Sequence, residues 1–356
     1  MVNEVLTTFL RHLKAISRAA LLVIFTAALS WALTLVQPAR AQELPSLNID
    51  GNNITVSGLS SGGFMAVQMH LAFSNRIQGV GVVAGGPFYC AVDNLTRALT
   101  ICMRPNPIAG PMGVPNGRIL AGMAQSFSNQ GKTDPISNLR DDSVYLFSGV
   151  MDETVYTPVV DATKTFYKAL GIPNRKIKYI KNIPAGHGFI TPDWGEECSL
   201  SHSPFINDCD YDQAGDILRH LLGKLNPPAS SLTGQFVEFN QDKFVHNPNA
   251  HGMAKKGYVY VPQACANGEP CRLHIALHGC KQSYEAISNE YYTHTGYNQW
   301  ADSNNIVVLY PQAHRMRLKN PNGCWDWWGY TNDEYAFKTG IQTSAIMKMV
   351  DKLSGV

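Results

Sequence analysis

Apolar positions along this chain fall into two alternating spacings. Short β-branched or aliphatic runs, Ile54 to Val56, Ile77 to Ala84 and Ser143 to Phe147, each end at or near glycine and read as buried strands. Between them the apolar residues follow helical spacing, as in Phe64, Val67, Met69 and Leu71. A second helix opens at Thr157-Pro158, where an N-cap residue precedes proline, and runs to about Leu170 before Gly171-Ile172-Pro173 stops it. Lys176 to Ile183 reads as a fourth strand. Further on, Tyr258 to Pro262, Leu273 to Leu277 and Ile306 to Tyr310 read as strands, and Tyr335 to Leu353 as an amphipathic helix with Ile341, Ile346, Met349 and Val350 apolar. Strands alternating with helices predict an α/β fold: a mostly parallel central sheet with helices on both faces.

The first residues follow a different rule. Arg11, Lys14 and Arg18 precede an uninterrupted apolar run, Ala19 to Val36, that ends shortly before Ala39-Arg40-Ala41. That is the pattern of a secretory signal peptide over residues 1–41, cleaved before Gln42. The run is also long enough for an uncleaved anchor, but the small residues at Ala39 and Ala41 favour cleavage. Residues 42–356 are then expected to form one domain of a secreted, extracellular or periplasmic, protein with no stable membrane insertion after cleavage. Only 16% of residues are charged and the formal net charge is +2, so no basic footprint for nucleic acid appears.

The strand ends carry the candidate chemistry. Gly58-Leu59-Ser60-Ser61-Gly62 lies between a strand pattern and a helix pattern, the order of a nucleophile elbow. Residues two before and two after the nucleophile must be small in that turn, and Gly58 and Gly62 are. Ser60 is the expected nucleophile. The strand Ser143 to Phe147 runs into Ser148-Gly149-Val150-Met151-Asp152, and the next strand into Pro184-Ala185-Gly186-His187. Asp152 and His187 therefore sit past the carboxyl ends of strands, where open α/β sheets place their sites. Asp141 and Asp142 precede their strand, Asp193 follows the histidine loop, and His70, His202, His220, His246, His251 and His314 lack such a position.

All eight cysteines lie beyond the leader, and without Cys-x-x-Cys or Cys/His clusters they read as disulfides rather than metal ligands. Sequential pairing is expected: Cys90 with Cys102, Cys198 with Cys209, Cys265 with Cys271 and Cys280 with Cys324; other connectivities remain open at this level. Neither metal nor cofactor is called for. Trp325, Trp327 and Trp328 crowd one segment; alternation puts Trp325 and Trp327 on one strand-like face and Trp328 on the other. They are candidates for substrate contact or for core packing.

Leu273 to Leu277 ends in His278-Gly279-Cys280, which resembles the oxyanion loop of esterases. By that resemblance the backbone amides of Ser61 and Cys280 are the oxyanion donors. Esterases of the α/β-hydrolase fold place this loop before the elbow, whereas here it follows, so a circular permutation joining the two chain ends is implied. GLSSGGFMA, FSGVMDETV, PAGHGF, GYVYVPQAC, ALHGCKQ, VVLYPQ and GCWDWWGY together resemble the extracellular poly(3-hydroxybutyrate) depolymerases of the single-domain, circularly permuted type. The resemblance implies a monomeric serine esterase with a Ser60, His187, Asp152 triad acting on polyester. The alternatives are a secreted esterase of feruloyl, acetyl or other small esters and a non-catalytic binding protein on the same scaffold.

Overall fold

The computed structural model describes residues 43–106, 108, 110 and 113–356. The leader expected over residues 1–41 lies outside them. Among the described residues eleven strands occur, in chain order β1 Ile49–Leu59, β2 Ile77–Val83, β3 Ser143–Phe147, β4 Ile177–Ile180, β5 Phe189–Thr191, β6 Glu196–Glu197, β7 Ile206–Asp208, β8 Gln235–Asn240, β9 Lys256–Val261, β10 Cys271–Leu277 and β11 Ile306–Tyr310. Eight form the central sheet in the order β4-β3-β2-β1-β10-β11-β9-β8; the three short strands β5, β7 and β6 form a separate sheet.

Neighbours from β4 to β11 pair in parallel, and β9 and β8 close that edge antiparallel. Every residue from Ile54 to Leu59 is buried, which requires both sheet faces to be covered. Gln213–Leu222 lies against β2, where Ile217 and Leu221 approach Gly81 and Gly79. Because the strands are parallel, the carboxyl ends of β1, β3, β4 and β10 open on one side.

Two expected elements are shorter than the pattern implied. Beyond Ile180 the backbone leaves the strand to bond with the loop after β3: the Ser148 and Val150 N–H groups donate to Ile180 O and Ile183 O, at 3.0 and 2.9 Å. The last helix spans Ile341–Ser354 rather than starting at Tyr335. Tyr335 and Phe337 enter an aromatic cluster with Tyr89 and Phe127, and the Thr343 hydroxyl donates to Phe337 O at 2.6 Å, which holds that stretch as a turn. The two ends of the described residues lie side by side, the Leu47 N–H donating to Leu353 O at 2.7 Å.

Candidate active site

Ser60 joins β1 to the helix Ser61–Ala72 with φ 56° and ψ −120°, a conformation that costs on the order of 1–3 kcal/mol for a residue with a side chain. The surroundings hold it there. Its N–H donates to Val83 O at 2.9 Å and its carbonyl accepts from the Phe64 N–H at 3.0 Å. A Cβ on Gly58 would stand 2.3 Å from Gly62 O, and one on Gly62 would stand 2.2 Å from Leu277 O. The two glycines thus let the turn close and let β10 approach it.

Asp152 and His187 meet across the neighbouring loops. The His187 Nδ1–H donates to Asp152 Oδ2 at 2.8 Å, with both side chains nearly buried. The second carboxylate oxygen accepts the Thr154 and Val155 N–H groups at 2.8 and 2.9 Å, so both oxygens of Asp152 are engaged. The two loops are tied by the Met151 N–H, which donates to Ala185 O at 3.0 Å, and Ser201 Oγ accepts the His187 N–H at 2.8 Å. With Nδ1 donating to the carboxylate, Nε2 is the nitrogen available as a base.

Ser60 and His187 line one cavity of about 580 Å³, whose wall also carries Gly279 and Cys280. Phe64 and Trp327 stack within it, ring centroids 3.9 Å apart, and Trp328 meets Trp327 edge-on at 5.6 Å. Trp325 is placed otherwise. It is fully buried, tilted over the His278 ring at 5.3 Å, and does not line the cavity. The strand-like alternation of this segment does not hold, because the Asp326 carboxylate gathers the N–H groups of Trp328, Gly329, Tyr330 and Thr331 and folds it into a loop. Burial pushes the Asp326 carboxyl upward while those donors pull it back.

Sulfur atoms pair as Cys90–Cys102, Cys198–Cys209, Cys265–Cys271 and Cys280–Cys324, the sequential pattern. The last joins the loop after β10 to the tryptophan segment. Leu95, Leu99 and Leu318, which the sequence reading passed over, line the cavity mouth with exposures of 50, 52 and 91%. Leu95 and Leu99 are spaced four apart on one helical turn, a signal that by itself reads as a core face. Gln282 was also passed over: it accepts the Gly279 N–H at 2.7 Å and donates to Pro204 O and Phe205 O.

No family model matches the chain. It is 47% identical over 319 residues, 88% of its length, to a poly(3-hydroxybutyrate) depolymerase of Delftia acidovorans, and the match spans 62% of that longer relative. A polyhydroxybutyrate depolymerase of Talaromyces funiculosus is 36% identical over 342 residues, 91% of this chain and 96% of the relative. The crystal structure of a PHB depolymerase from Penicillium funiculosum superposes with a TM-score of 0.81 at 35% identity, covering 88% of this chain and 99% of that one. A serine-to-alanine variant of a PHB depolymerase, complexed with an R3HB trimer, gives the same values.

Proposed function

The chain belongs to the polyhydroxybutyrate depolymerase family, and we propose that it is a secreted serine esterase that hydrolyses poly(3-hydroxybutyrate) or short-chain polyhydroxyalkanoate. What carries this is a strained serine and a carboxylate-bonded histidine on the wall of one cavity with an exposed apolar mouth. In the proposed reaction His187 Nε2 takes the Ser60 proton as Oγ attacks the ester carbonyl. Asp152 holds the Nδ1–H tautomer and stabilises the imidazolium. The oxyanion is received by the Ser61 and Cys280 amides, the alcohol leaves with the proton from His187, and water releases the acyl group by the same path.

Several features support the substrate class. Apolar side chains at the mouth gain about 1.5–3 kcal/mol each on full burial, which suits the methyl and methylene surface of an aliphatic polyester. Trp328, only partly buried, offers flat apolar area at the same cavity, and Trp327, stacked on Phe64 behind it, is a buried part of the wall. Four disulfides fit an oxidising, extracytoplasmic setting, and among the described residues no helix is long and apolar enough to cross a membrane. The permuted chain order belongs to the same reading: it is supported by β10 lying beside β1 and by the hydrogen bond between Leu47 and Leu353, which brings the first and last described segments together.

The test is turbidity loss of a poly(3-hydroxybutyrate) suspension with residues 42–356, run beside Ser60→Ala and beside a soluble p-nitrophenyl ester. Clearing that requires Ser60 is the expected result. Cleavage of the soluble ester without clearing would move the assignment to a small-ester esterase, and inactivity on both would leave a binding protein.

A further inference from the structure

Three successive amides follow His278, and their partners differ. The Gly279 N–H donates to Gln282 Oε1 and the Lys281 N–H to Asn322 O, each at 2.7 Å, while the Cys280 N–H between them has no acceptor among the described residues. This free donor sits beside the nucleophile: a Cβ built on Gly279 would lie 3.4 Å from the Ser60 Cβ, and both residues line the cavity.

The His278 ring controls which way that donor points. Its Nε2 accepts the Ala313 N–H at 3.0 Å, and since a backbone amide can only donate, the ring proton is on Nδ1. Nδ1–H faces Gly279 O at 2.7 Å. That oxygen belongs to the same peptide unit as the Cys280 N–H. In a trans peptide the carbonyl and the N–H point in opposite directions, so gripping the oxygen aims the hydrogen. The ring itself cannot turn freely, being fully buried with Trp325 tilted across it.

We propose that His278 is a positioning residue for the reaction: it fixes the Gly279–Cys280 peptide plane so that the Cys280 N–H stands ready to receive the oxyanion. Its side chain does not touch substrate. Burial pushes the imidazole down to about 4, so the ring keeps a single proton at neutral pH and the tautomer is set by Ala313. This assignment rests on the esterase reading of Ser60.

Two substitutions separate the ring's two bonds. His278→Asn leaves an amide N–H at the place of Nδ1 and loses the Ala313 acceptor, whereas His278→Gln reaches the place of Nε2 and loses the grip on Gly279 O. On a soluble p-nitrophenyl ester, His278→Gln should lower kcat about tenfold or more with KM held within about twofold, because an oxyanion donor acts chiefly in the transition state. His278→Asn should restore most of kcat even where its Tm is the lower of the two. Equal losses that follow Tm, or no loss in either variant, would overturn the proposal.

A second measurement needs no variant to fold. In the wild-type chain, imidazole nitrogen spectra should show Nδ1 protonated, and phosphonylation of Ser60 should move the Cys280 amide proton downfield. Protonation at Nε2, or an unmoved Cys280 amide, would count against the assignment. Ser60→Ala assayed alongside tests the esterase reading separately: turnover that survives it sinks that reading whatever His278 does.

Discussion

Cys280 is bonded to Cys324 across 44 residues, and the bond ties the loop beside Ser60 to the segment that carries Trp327 and Trp328. Chain entropy for a loop of that length corresponds to about 4 kcal/mol at most. The local consequence is sharper, because the proposed oxyanion donor is the amide of one of the two bonded residues. Titration with reductant should lower esterase turnover at concentrations where circular dichroism is unchanged. Loss of activity and of structure in a single step, or activity indifferent to reduction, would refute a local role for this bond.

Asp152 gives both oxygens to hydrogen bonds, one to His187 Nδ1 and the other to two backbone amides. Asp152→Asn keeps the shape but presents an amide that prefers the other histidine tautomer, which turns Nε2 into a donor. A fall in kcat of roughly 10⁴-fold is expected, with the melting temperature little changed, and Ser60→Ala should remove at least as much. Retention of more than a tenth of wild-type kcat by Asp152→Asn on a soluble ester would remove Asp152 from the proposed triad.

Leu95 and Leu99 stand half exposed at the cavity mouth. If polymer covers them, each contributes about 1 kcal/mol to adsorption, so a double Leu95→Ser, Leu99→Ser variant should clear polymer at least about tenfold more slowly. Its kcat/KM on a soluble ester should stay within about twofold, since a small ester covers less of the exposed mouth than a polymer does. Equal slowing on both substrates would mean that the leucines shape the site rather than hold polymer. Trp327→Ala makes a useful contrast: Trp327 is buried against Phe64, and its removal should cost about 3 kcal/mol of stability or more.

What could be read from the chain was local. Gly58 and Gly62 around Ser60, the strand ends before Asp152 and His187, and the short-range cysteine pairs are all set by neighbours in sequence, and the backbone geometry at each follows from residue size and spacing. The tryptophan segment failed for the opposite reason. Its parity is broken by one carboxylate, Asp326, that bonds amides up to five residues away, and nothing in the alternation of Trp325 and Trp327 signals that. Tyr335 and Phe337 were likewise drawn out of a helix by rings at Tyr89 and Phe127, more than two hundred residues earlier. The exposed leucines at the mouth were unreadable because helical spacing does not say whether the facing surface is protein or solvent.

His274 is fully buried between hydroxyls, with Nδ1 2.8 Å from Thr55 Oγ1 and Nε2 2.7 Å from Ser57 Oγ, which in turn meets Tyr297. Burial pushes its imidazole down to about 3, as it pushes His278 down to about 4. Neither ring is bonded to a carboxylate that would hold the imidazolium. The unfolded chain binds protons at these rings near the ordinary value of about 6.5, while the folded chain does not until far lower pH. Below pH 6.5 the unfolded state therefore holds more protons, and stability falls as pH falls, by up to about 1.4 kcal/mol per unit for each ring. Their contribution is fully present above pH 6.5 and is lost progressively toward pH 4 for His278 and pH 3 for His274. Urea unfolding at pH 6 and pH 5 should differ by about 2–3 kcal/mol from this pair. His274→Gln, which cannot take up the proton, should remove about half of that slope; an unchanged slope in the variant would show that His274 is not a source of the acid sensitivity.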